Sequence, residues 1–429
     1  MKRVILLFLA VMFFTAPARA LGIIRDTEVE STLLSYVRPI FKAAGLNPDH
    51  ARVVVVNDSS INAFVASGQT IFIHTGLILN AQSVDDLVFV LAHETGHIVG
   101  GHITRGIEQY KNAQTTALIS AVMGGLLAVA SGRPDAGIAV MMGGASSAEG
   151  LFTAYRQTEE SAADRTAVDI VNRLGYSMAG FTSIMDTLMR QERLNRGVNE
   201  AYFRTHPMTP ARKNDMARFL SNLRPPTDDR TFDLIKAKLG GFLNKPEQTL
   251  RAYRGTTPAD KYARCIALYR ANRIAEGFAI LDDLIAAQPD NPYFIELKAQ
   301  FLFETGKVKE AIPLYARAAA LRPDAPLIAI SYAQALLETD DKSNAQIAAD
   351  TLAHAAIKEP DIPLLWKLLS TAHYRLGQQT ESQYALAEYH QLNGQKKEAK
   401  RIAQRAIKTA DKKSATYQKL QDIIDTANE

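Results

Sequence analysis

Two histidines lie four residues apart in the segment VDDLVFVLAHETGHIVGGH, which runs from Val84 to His102. On an α-helix, positions four apart fall on the same face, so His93 and His97 can direct their imidazoles at one point. Glu94 lies one step round the helix, where its carboxylate can reach a water held at that point. The spacing predicts a zinc site with two histidine ligands and a glutamate general base. The alternative is two helix histidines with ordinary hydrogen bonds.

A short sheet and one helix are the elements that must position these residues. The β-branched run at 51–58 predicts a buried strand, and QTIFIHTGLI at 69–78 predicts a second strand. Ser83 provides a cap for the helix that carries HETGH. Gly100-Gly101 ends or kinks that helix, and His102 is then too far round the helix to join the metal face.

A catalytic zinc takes three protein ligands and keeps one position open. The segment FTAYRQTEESAADRTAVDIV predicts a helix on which Glu160 and Asp164 lie four residues apart. Glu160 can reach the zinc, while Asp164 can accept a hydrogen bond from a ligand imidazole and fix its tautomer. Periodicity alone does not choose between Glu160 and Glu159, and an acidic helix face is usually solvated.

HETGH followed by EESAAD resembles the gluzincin metallopeptidases of the CAAX-prenyl-protease and HtpX type, whose second motif is E-x-x-A-D. Residues 160–164 match that motif, and the match selects Glu160. The segments NAFVASGQTIFIHTGLI and THPMTPAR are similar to the strand pair and the T-H-P motif of the family. The resemblance implies a zinc metalloendopeptidase with one Zn²⁺ per chain, held by His93, His97 and Glu160.

His206 lies in the T-H-P segment, directly before Pro207, which predicts a loop or turn. A loop histidine can move into the site and hydrogen-bond a developing oxyanion, which would make it a catalytic residue beside Glu94 and Asp164. It can equally occupy the open zinc position and keep the enzyme latent. A purely structural role is the third reading.

Asn62, Ala63 and Phe64 are the candidate substrate-binding residues. An edge strand at these positions can pair with an extended chain by β-augmentation, which recognises backbone rather than sequence. Such a site favours unfolded or stalled chains over compact ones.

The N-terminus has the pattern of a secretory signal. Lys2 and Arg3 precede the apolar block VILLFLAVMFF, and APARA provides a cleavage site after Ala20. Loss of three basic residues, Lys2, Arg3 and Arg19, lowers the formal net charge from +4 to +1. A balance so near neutral argues against nucleic acid as a partner.

The segment 113–148 contains twenty residues without a charge, from Ala113 to Gly132, and then a second apolar stretch. We expect a helical hairpin that lies over the active site or contacts a membrane surface. A true membrane span and ordinary core packing are the alternatives, because Gln, Thr, Ser and Gly leave the segment only moderately apolar.

The C-terminal half carries a repeat. Pro289, Pro323 and Pro360 follow one another at intervals of 34 and 37 residues, each after an Ala-rich helical pattern. This period predicts tetratricopeptide repeats, which are stacked helical hairpins with a concave binding surface. An irregular helical bundle is the alternative. Pro225-Pro226 in LRPPTDDR predicts a connector before the repeats.

The predicted fold is therefore an α+β, zincin-like metallopeptidase domain, mostly helical with a small sheet, followed by an all-α tetratricopeptide-repeat solenoid. The predicted boundaries are a signal peptide at 1–20, a zinc metallopeptidase domain at 21–222, a connector at 223–250 and the repeats at 251–429.

The order of signal, peptidase and repeats is similar to that of a periplasmic member of the family that supports outer-membrane β-barrel assembly in Gram-negative bacteria. The resemblance implies a periplasmic quality-control protease whose clients are misassembled outer-membrane proteins and whose repeats contact the barrel-assembly machinery. The alternative is a tetratricopeptide chaperone or adaptor with a silent or structural zinc site. The intact Glu94 argues against it, because a structural site needs no base.

Overall fold

The computed structural model describes residues 22–66, 69–102, 157–194, 206, 212, 214, 218–222 and 224–426. The predicted signal peptide at 1–20 and the segment 113–148 lie outside the described residues. The boundaries predicted at residues 20, 222 and 250 remain predictions.

The chain divides into two compact units. The first contains the described residues within Met1–Ile24, Ile40–Gln82 and Phe89–Leu223. The second contains those within Arg25–Pro39, Ser83–Val88 and Arg224–Glu429.

The elements before residue 195 form a small sheet and several helices. They are β1 (Ile23–Ile24), α1 (Thr27–Ala43), β2 (Arg52–Val56), β3 (Ala63–Ala66), β4 (Thr70–His74), α2 (Thr75–Asn80), α3 (Val84–Gly100), α4 (157–174 of the described chain) and α5 (Ala179–Leu194).

The four strands form one sheet in the order β1-β2-β4-β3. Strand β2 is parallel to β4, while β1 and β3 are antiparallel to their neighbours. In the described sheet β3 is therefore an edge strand, as its sequence predicted. Alternate residues of β4 are buried, including Ile71 and Ile73, which matches the period of two expected for a strand.

The second predicted strand was too long. It ends at His74, and the following residues, Thr75–Asn80, form helix α2. A short apolar run does not by itself distinguish a strand from a buried helix. The helix begins where Gly76 donates its backbone N–H to the carbonyl of Asp58. A Cβ at Gly76 would lie 2.2 Å from the backbone oxygen of Ser59, so only glycine fits this turn.

From residue 230 the described chain is helical. The helices are α6 (Arg230–Leu243), α7 (Pro246–Ala252), α8 (Pro258–Arg270), α9 (Ile274–Ala287), α10 (Pro292–Glu304), α11 (Val308–Leu321), α12 (Pro326–Leu337), α13 (Lys342–Lys358), α14 (Pro363–Arg375), α15 (Gln379–Leu392), α16 (Lys396–Ala406) and α17 (Ala415–Thr426).

The sequence repeat marked by Pro289, Pro323 and Pro360 corresponds to a series of helical hairpins in the structure. Pro258, Pro292, Pro326 and Pro363 each stand in the first turn of a helix, where proline gives up no internal hydrogen bond. The small buried residues pack neighbouring helices together, as in the cluster that contains Trp366. The predicted fold class, a mostly helical peptidase with a small sheet followed by helical repeats, is confirmed.

In the part of the chain that the structure describes, no helix combines the length and the apolar character needed to cross a bilayer.

The second unit contains a buried charge cluster around Lys238. The Nζ atom of Lys238 lies 2.7 Å from Asp26 and 3.2 Å from Glu28, and Tyr262 donates a 2.8 Å hydrogen bond to Glu28. Glu296 also faces this cluster. Burial raises the pKa of Glu296 to about 7, with Lys238 opposing the rise.

Glu296→Gln should flatten the pH dependence of the stability of this unit. Because the pKa of Glu296 is raised above its ordinary 4.5 to about 7, the folded state keeps a proton that the unfolded state loses. The contribution of Glu296 to the free energy of unfolding is then fully present below about pH 4.5 and is lost as the pH rises to about 7. Thermal unfolding between pH 4.5 and 8 measures this, with the exposed Glu310→Gln as control. An equally steep decrease in Glu296→Gln would assign the pH dependence to another group.

Candidate metal centre

Helix α3 holds the histidines and the glutamate of HETGH inside the protein. Residues 84–96 are all buried, and besides the apolar side chains they include polar residues of HETGH. The Nε2 atoms of His93 and His97 are 3.1 Å apart. Because a buried polar group costs free energy unless it is paired, these imidazoles need partners from other segments.

Helix α4 supplies the carboxylates that the histidines face. Glu160 is buried, with one oxygen 3.4 Å from Nε2 of His93 and the other 3.5 Å from Nε2 of His97. An oxygen of Asp164 lies 2.9 Å from the other ring nitrogen of His93, Nδ1. The neighbouring Glu159 is more exposed. Glu160 and Asp164 therefore both contact the histidines of α3. Their roles as a ligand and as the partner of a ligand stay predictions.

Gly96, inside the HETGH motif, allows helices α3 and α4 to approach closely. A Cβ at this position would lie 2.8 Å from Cα and 2.9 Å from the carbonyl oxygen of Ala163. Real Cβ atoms do not come this close to backbone, so a side chain here would push the helices apart. The glycine of HETGH thus sets the distance between the two histidines and Glu160.

His206 is buried in the middle of the cluster. Its Nδ1 is 3.3 Å from Nε2 of His93 and 3.1 Å from an oxygen of Glu160. Its Nε2 is 3.3 Å from an oxygen of Glu94. The ring therefore lies between the candidate metal ligands and the candidate base. The predicted loop around His206 lies outside the described residues.

The arrangement fits a metal ion. Among the described residues, His93, His97, Glu160 and His206 each offer one donor atom, and these atoms lie within 4.8 Å of one another. Imidazole nitrogens with a carboxylate oxygen are donors that suit zinc and other first-row divalent ions.

The buried carboxylates carry more negative charge than their fixed cation balances. Glu94, Glu160 and Asp164 are at most 3% exposed, and in the described part of the chain Arg212 is the guanidinium that contacts Glu160 and Asp164. With neutral imidazoles, the three carboxylates and Arg212 together carry a formal charge of −2. A divalent cation supplies two positive charges.

In the absence of a metal ion, protons take the place of that charge. Burial lowers the pKa of His93, but Asp164 and Glu160 outweigh it and raise the pKa to about 10. Burial raises the pKa of Glu94. The pKa of Glu160 is well below its ordinary value because His206 and His93 outweigh the effect of burial. A metal ion must therefore displace protons in order to bind.

Arg212 is a site residue that the sequence did not reveal. It is 2% exposed, and its guanidinium contacts Asp164 at 2.7 and 2.9 Å and Glu160 at 2.9 Å. A planar guanidinium suits such two-point pairing with a carboxylate. Arg212 is the last residue of THPMTPAR, and this position was the one signal in the sequence. The spacing of apolar residues along a helix does not predict that an arginine is buried.

His102 was predicted to be too far round the helix for the metal face, and it is not part of the donor cluster. Its Nδ1 nevertheless lies 2.8 Å from Nδ1 of His97, on the side of that ring away from the cluster. Helical geometry did not reveal this contact, because it depends on a turn after Gly100.

Asn62, Ala63 and Phe64 lie at the start of the edge strand. Ala63 and Phe64 pair with Ile73 and Phe72 of β4. The side-chain oxygen of Asn62 is buried and has no hydrogen-bond partner in the described structure. Burial raises the pKa of Glu94, and a hydrogen bond from the backbone of Val65, further along the strand, acts in the opposite direction. The edge strand thus runs beside the candidate base.

Comparison with known proteins identifies a peptidase domain. Residues 24–218 match the sequence model described as Peptidase family M48. The chain is 26% identical over 351 residues to the beta-barrel assembly-enhancing protease of Escherichia coli (strain K12), a match covering 79% of this chain and 71% of that protein. The protein of the same name from Yersinia pestis is also 26% identical, over 352 residues, with the same coverage.

Among solved structures, the chain is similar to one titled MamA MSR-1 C2, with a TM-score of 0.33 and 18% identity. The match covers 39% of this chain and 95% of the other.

Gly96→Ala should destabilise the protein by about 1–3 kcal/mol, because the added methyl group overpacks the crossing with Ala163. At an exposed helix position the same change stabilises a protein by about 1 kcal/mol. The sign of the change in unfolding free energy therefore distinguishes a crowded helix crossing from an exposed helix position. Chemical denaturation and metal titration check this, with Val99→Ala on the exposed face of α3 as control. Unchanged stability and metal affinity would show that Gly96 does not set the helix distance.

Arg212→Met should cost the metal-free protein about 3–5 kcal/mol, because it leaves two buried carboxylates uncompensated. A metal ion supplies part of that charge, so the loss should be smaller in the metal-loaded protein. Unfolding with and without a chelator measures the difference. The exposed Arg165→Met on α4, the helix that carries Glu160 and Asp164, is the control. An equal loss in both states would indicate that Arg212 acts by packing alone.

Proposed function

This chain carries a peptidase family M48 domain and is a metalloprotease, and from that premise we propose that it is an exported, zinc-dependent endopeptidase. Its proposed role is to degrade misfolded or stalled outer-membrane β-barrel proteins and to support outer-membrane protein assembly. A chaperone activity is part of the proposal. The observation that carries the catalytic part is the buried group of His93, His97, Glu160 and Glu94 on two crossing helices.

Zinc is the proposed metal because its donor set in hydrolases combines imidazole with carboxylate. When bound, zinc polarises the scissile carbonyl and makes water acidic enough to attack it near neutral pH. His93, His97 and Glu160 are the proposed ligands. Asp164 holds the outer nitrogen of His93 at 2.9 Å, which fixes the ring with Nε2 towards the cluster.

Glu94 is the proposed general base. It neighbours His93 on α3 but lies outside the group of donor atoms, so its carboxylate is free to take a proton from water and to deliver it to the leaving amine. Its burial, which raises its pKa, brings the group closer to the range in which a carboxylate can serve in both steps.

Two roles for His206 follow from its position. With Nδ1 beside the ligand atoms it can close the open metal position and keep the site latent. With Nε2 3.3 Å from Glu94 it can, after a shift, donate to the oxyanion that forms when water attacks. Substrate must displace the ring in the first case, whereas in the second His206 takes part in the chemical step.

Strand β3 is the proposed docking element for substrate. An extended polypeptide that pairs with its outer edge would pass beside Glu94, and backbone pairing at Asn62, Ala63 and Phe64 requires no particular sequence. Compact proteins have few extended segments to offer, so unfolded chains are the expected substrates. The helical repeats are the proposed contact with clients and with the barrel-assembly machinery.

The names of the similar proteins support the barrel-assembly role, and the N-terminal signal pattern supports export to the periplasm. The proposal includes contact of the segment 113–148 with a membrane surface. It also includes a peptidase domain that ends at residue 222 and a connector that ends at residue 250.

Glu94→Gln should abolish cleavage while metal binding is kept, because the amide cannot take a proton but occupies the same volume. The full exported chain, loaded with zinc, is incubated with an unfolded outer-membrane β-barrel polypeptide. The exposed Asp169→Asn on α4 is the matched control and should cleave normally. Loss of at least 100-fold in the rate is expected if general-base catalysis contributes about 10²–10⁴-fold.

Cleavage that persists in Glu94→Gln would refute the proposed base. Binding of the polypeptide without cleavage by the unsubstituted chain would instead favour the alternative, a repeat-based chaperone with a silent metal site.

A further inference from the structure

We propose that Gly100, Gly101 and His102 form a turn whose function is to fix the ring of the metal ligand His97. His102 is then a positioning residue. It accepts a hydrogen bond from Nδ1 of His97, the ring nitrogen that faces away from the candidate metal site. The inference rests on the metal site proposed above, but its tests do not depend on proteolysis.

The tautomer of His97 follows from its surroundings. Nε2 of His97 faces the donor cluster, 3.1 Å from Nε2 of His93 and 3.5 Å from Glu160. A nitrogen that ligates a metal offers its lone pair, so the single proton of the neutral ring is on Nδ1. That Nδ1 lies 2.8 Å from Nδ1 of His102, which must therefore be the acceptor.

The double glycine explains how the chain brings His102 back to His97. Helix α3 ends at Gly100, and Gly101 adopts a φ of +61°, the left-handed conformation that reverses the chain. The ring of His102 then fills the space beside Gly100. A Cβ at Gly100 would lie 2.2 Å from Nε2 of His102, so this ring position exists only because residue 100 has no side chain.

The two histidine ligands thus have different outer partners. His93 contacts the carboxylate of Asp164, whereas His97 contacts a second imidazole that is 6% exposed. Both partners hold Nε2 towards the metal, but only the carboxylate adds charge. Since the site already contains three buried carboxylates, a neutral acceptor orients His97 without adding another negative charge.

Replacement of His102 separates the hydrogen bond from the rest of the side chain. His102→Asn places an amide oxygen at the same number of bonds from Cα as Nδ1, so the acceptor is kept. His102→Leu removes it. We expect zinc affinity, measured by competition with a chelating dye, to fall about 10- to 100-fold in His102→Leu and to be largely kept in His102→Asn. The exposed His354→Leu is the control.

Gly100→Ala provides an independent test, because it displaces the His102 ring without removing it. We expect the same loss of zinc affinity as in His102→Leu. Gly101→Asn should retain affinity, since asparagine tolerates the left-handed conformation and nothing lies within 4 Å of a Cβ there. This pair of neighbouring substitutions distinguishes displacement of His102 from general damage to the turn.

The tautomer gives a spectroscopic readout. In ¹⁵N-labelled protein, long-range ¹⁵N–¹H correlations should show His97 protonated on Nδ1, and this signal should be lost or become mixed in His102→Leu and Gly100→Ala. Zinc affinity equal to that of the unsubstituted chain in both variants would overturn the proposal. The proposal would also be overturned if His97 were protonated on Nε2 in the folded, metal-free protein while its ring still contacts His102.

Failure of this inference can be told apart from failure of the proposed function. Glu94→Gln should lose cleavage but keep its zinc affinity, whereas the His102 variants should first lose zinc affinity. If the unsubstituted chain binds no zinc, both proposals are overturned.

Discussion

Negative charge buried among the described residues of the first unit is the constraint on which the candidate metal centre depends. Glu94, Glu160 and Asp164 are buried together, and Arg212 contacts the last two. Burying unbalanced charge costs several kcal/mol per ion. Protons or a divalent cation can balance the remaining charge of these described residues. Metal binding is therefore coupled to the stability of the unit, and the same negative charge that makes the empty site costly favours the cation when it is bound.

The surrounding structure keeps those charges close together. Helix α3 is buried on all sides over residues 84–96, so its polar residues cannot turn towards water. Gly96 lets α4 approach, and Arg212 contacts both acidic residues of α4. Asp164 and His102 hold the outer nitrogens of the two histidines. Each contact restricts the orientation of a donor, which limits the reorganisation that metal binding requires.

The sequence predicted the parts of this site that follow from local periodicity. His93 and His97 could be placed together from their spacing, and the resemblance selected Glu160 over Glu159. Arg212 and His102 could not be found in this way, because one comes from a distant segment and the other depends on a left-handed glycine. The helical repeats were predictable from prolines at a regular period. The end of β4 at His74 was not, because Leu77 and Ile78 are buried equally well in a helix.

The metal centre is assembled from segments that are far apart along the chain. His93 and His206 are separated by 113 residues and His206 and Glu160 by 46. Contacts between such distant positions form only after the entropy of closing long loops has been overcome. An unfolded copy of this chain therefore lacks the assembled candidate site. The group of donor atoms exists only in the folded chain, so a metal ion that binds it would bind after folding has brought these segments together.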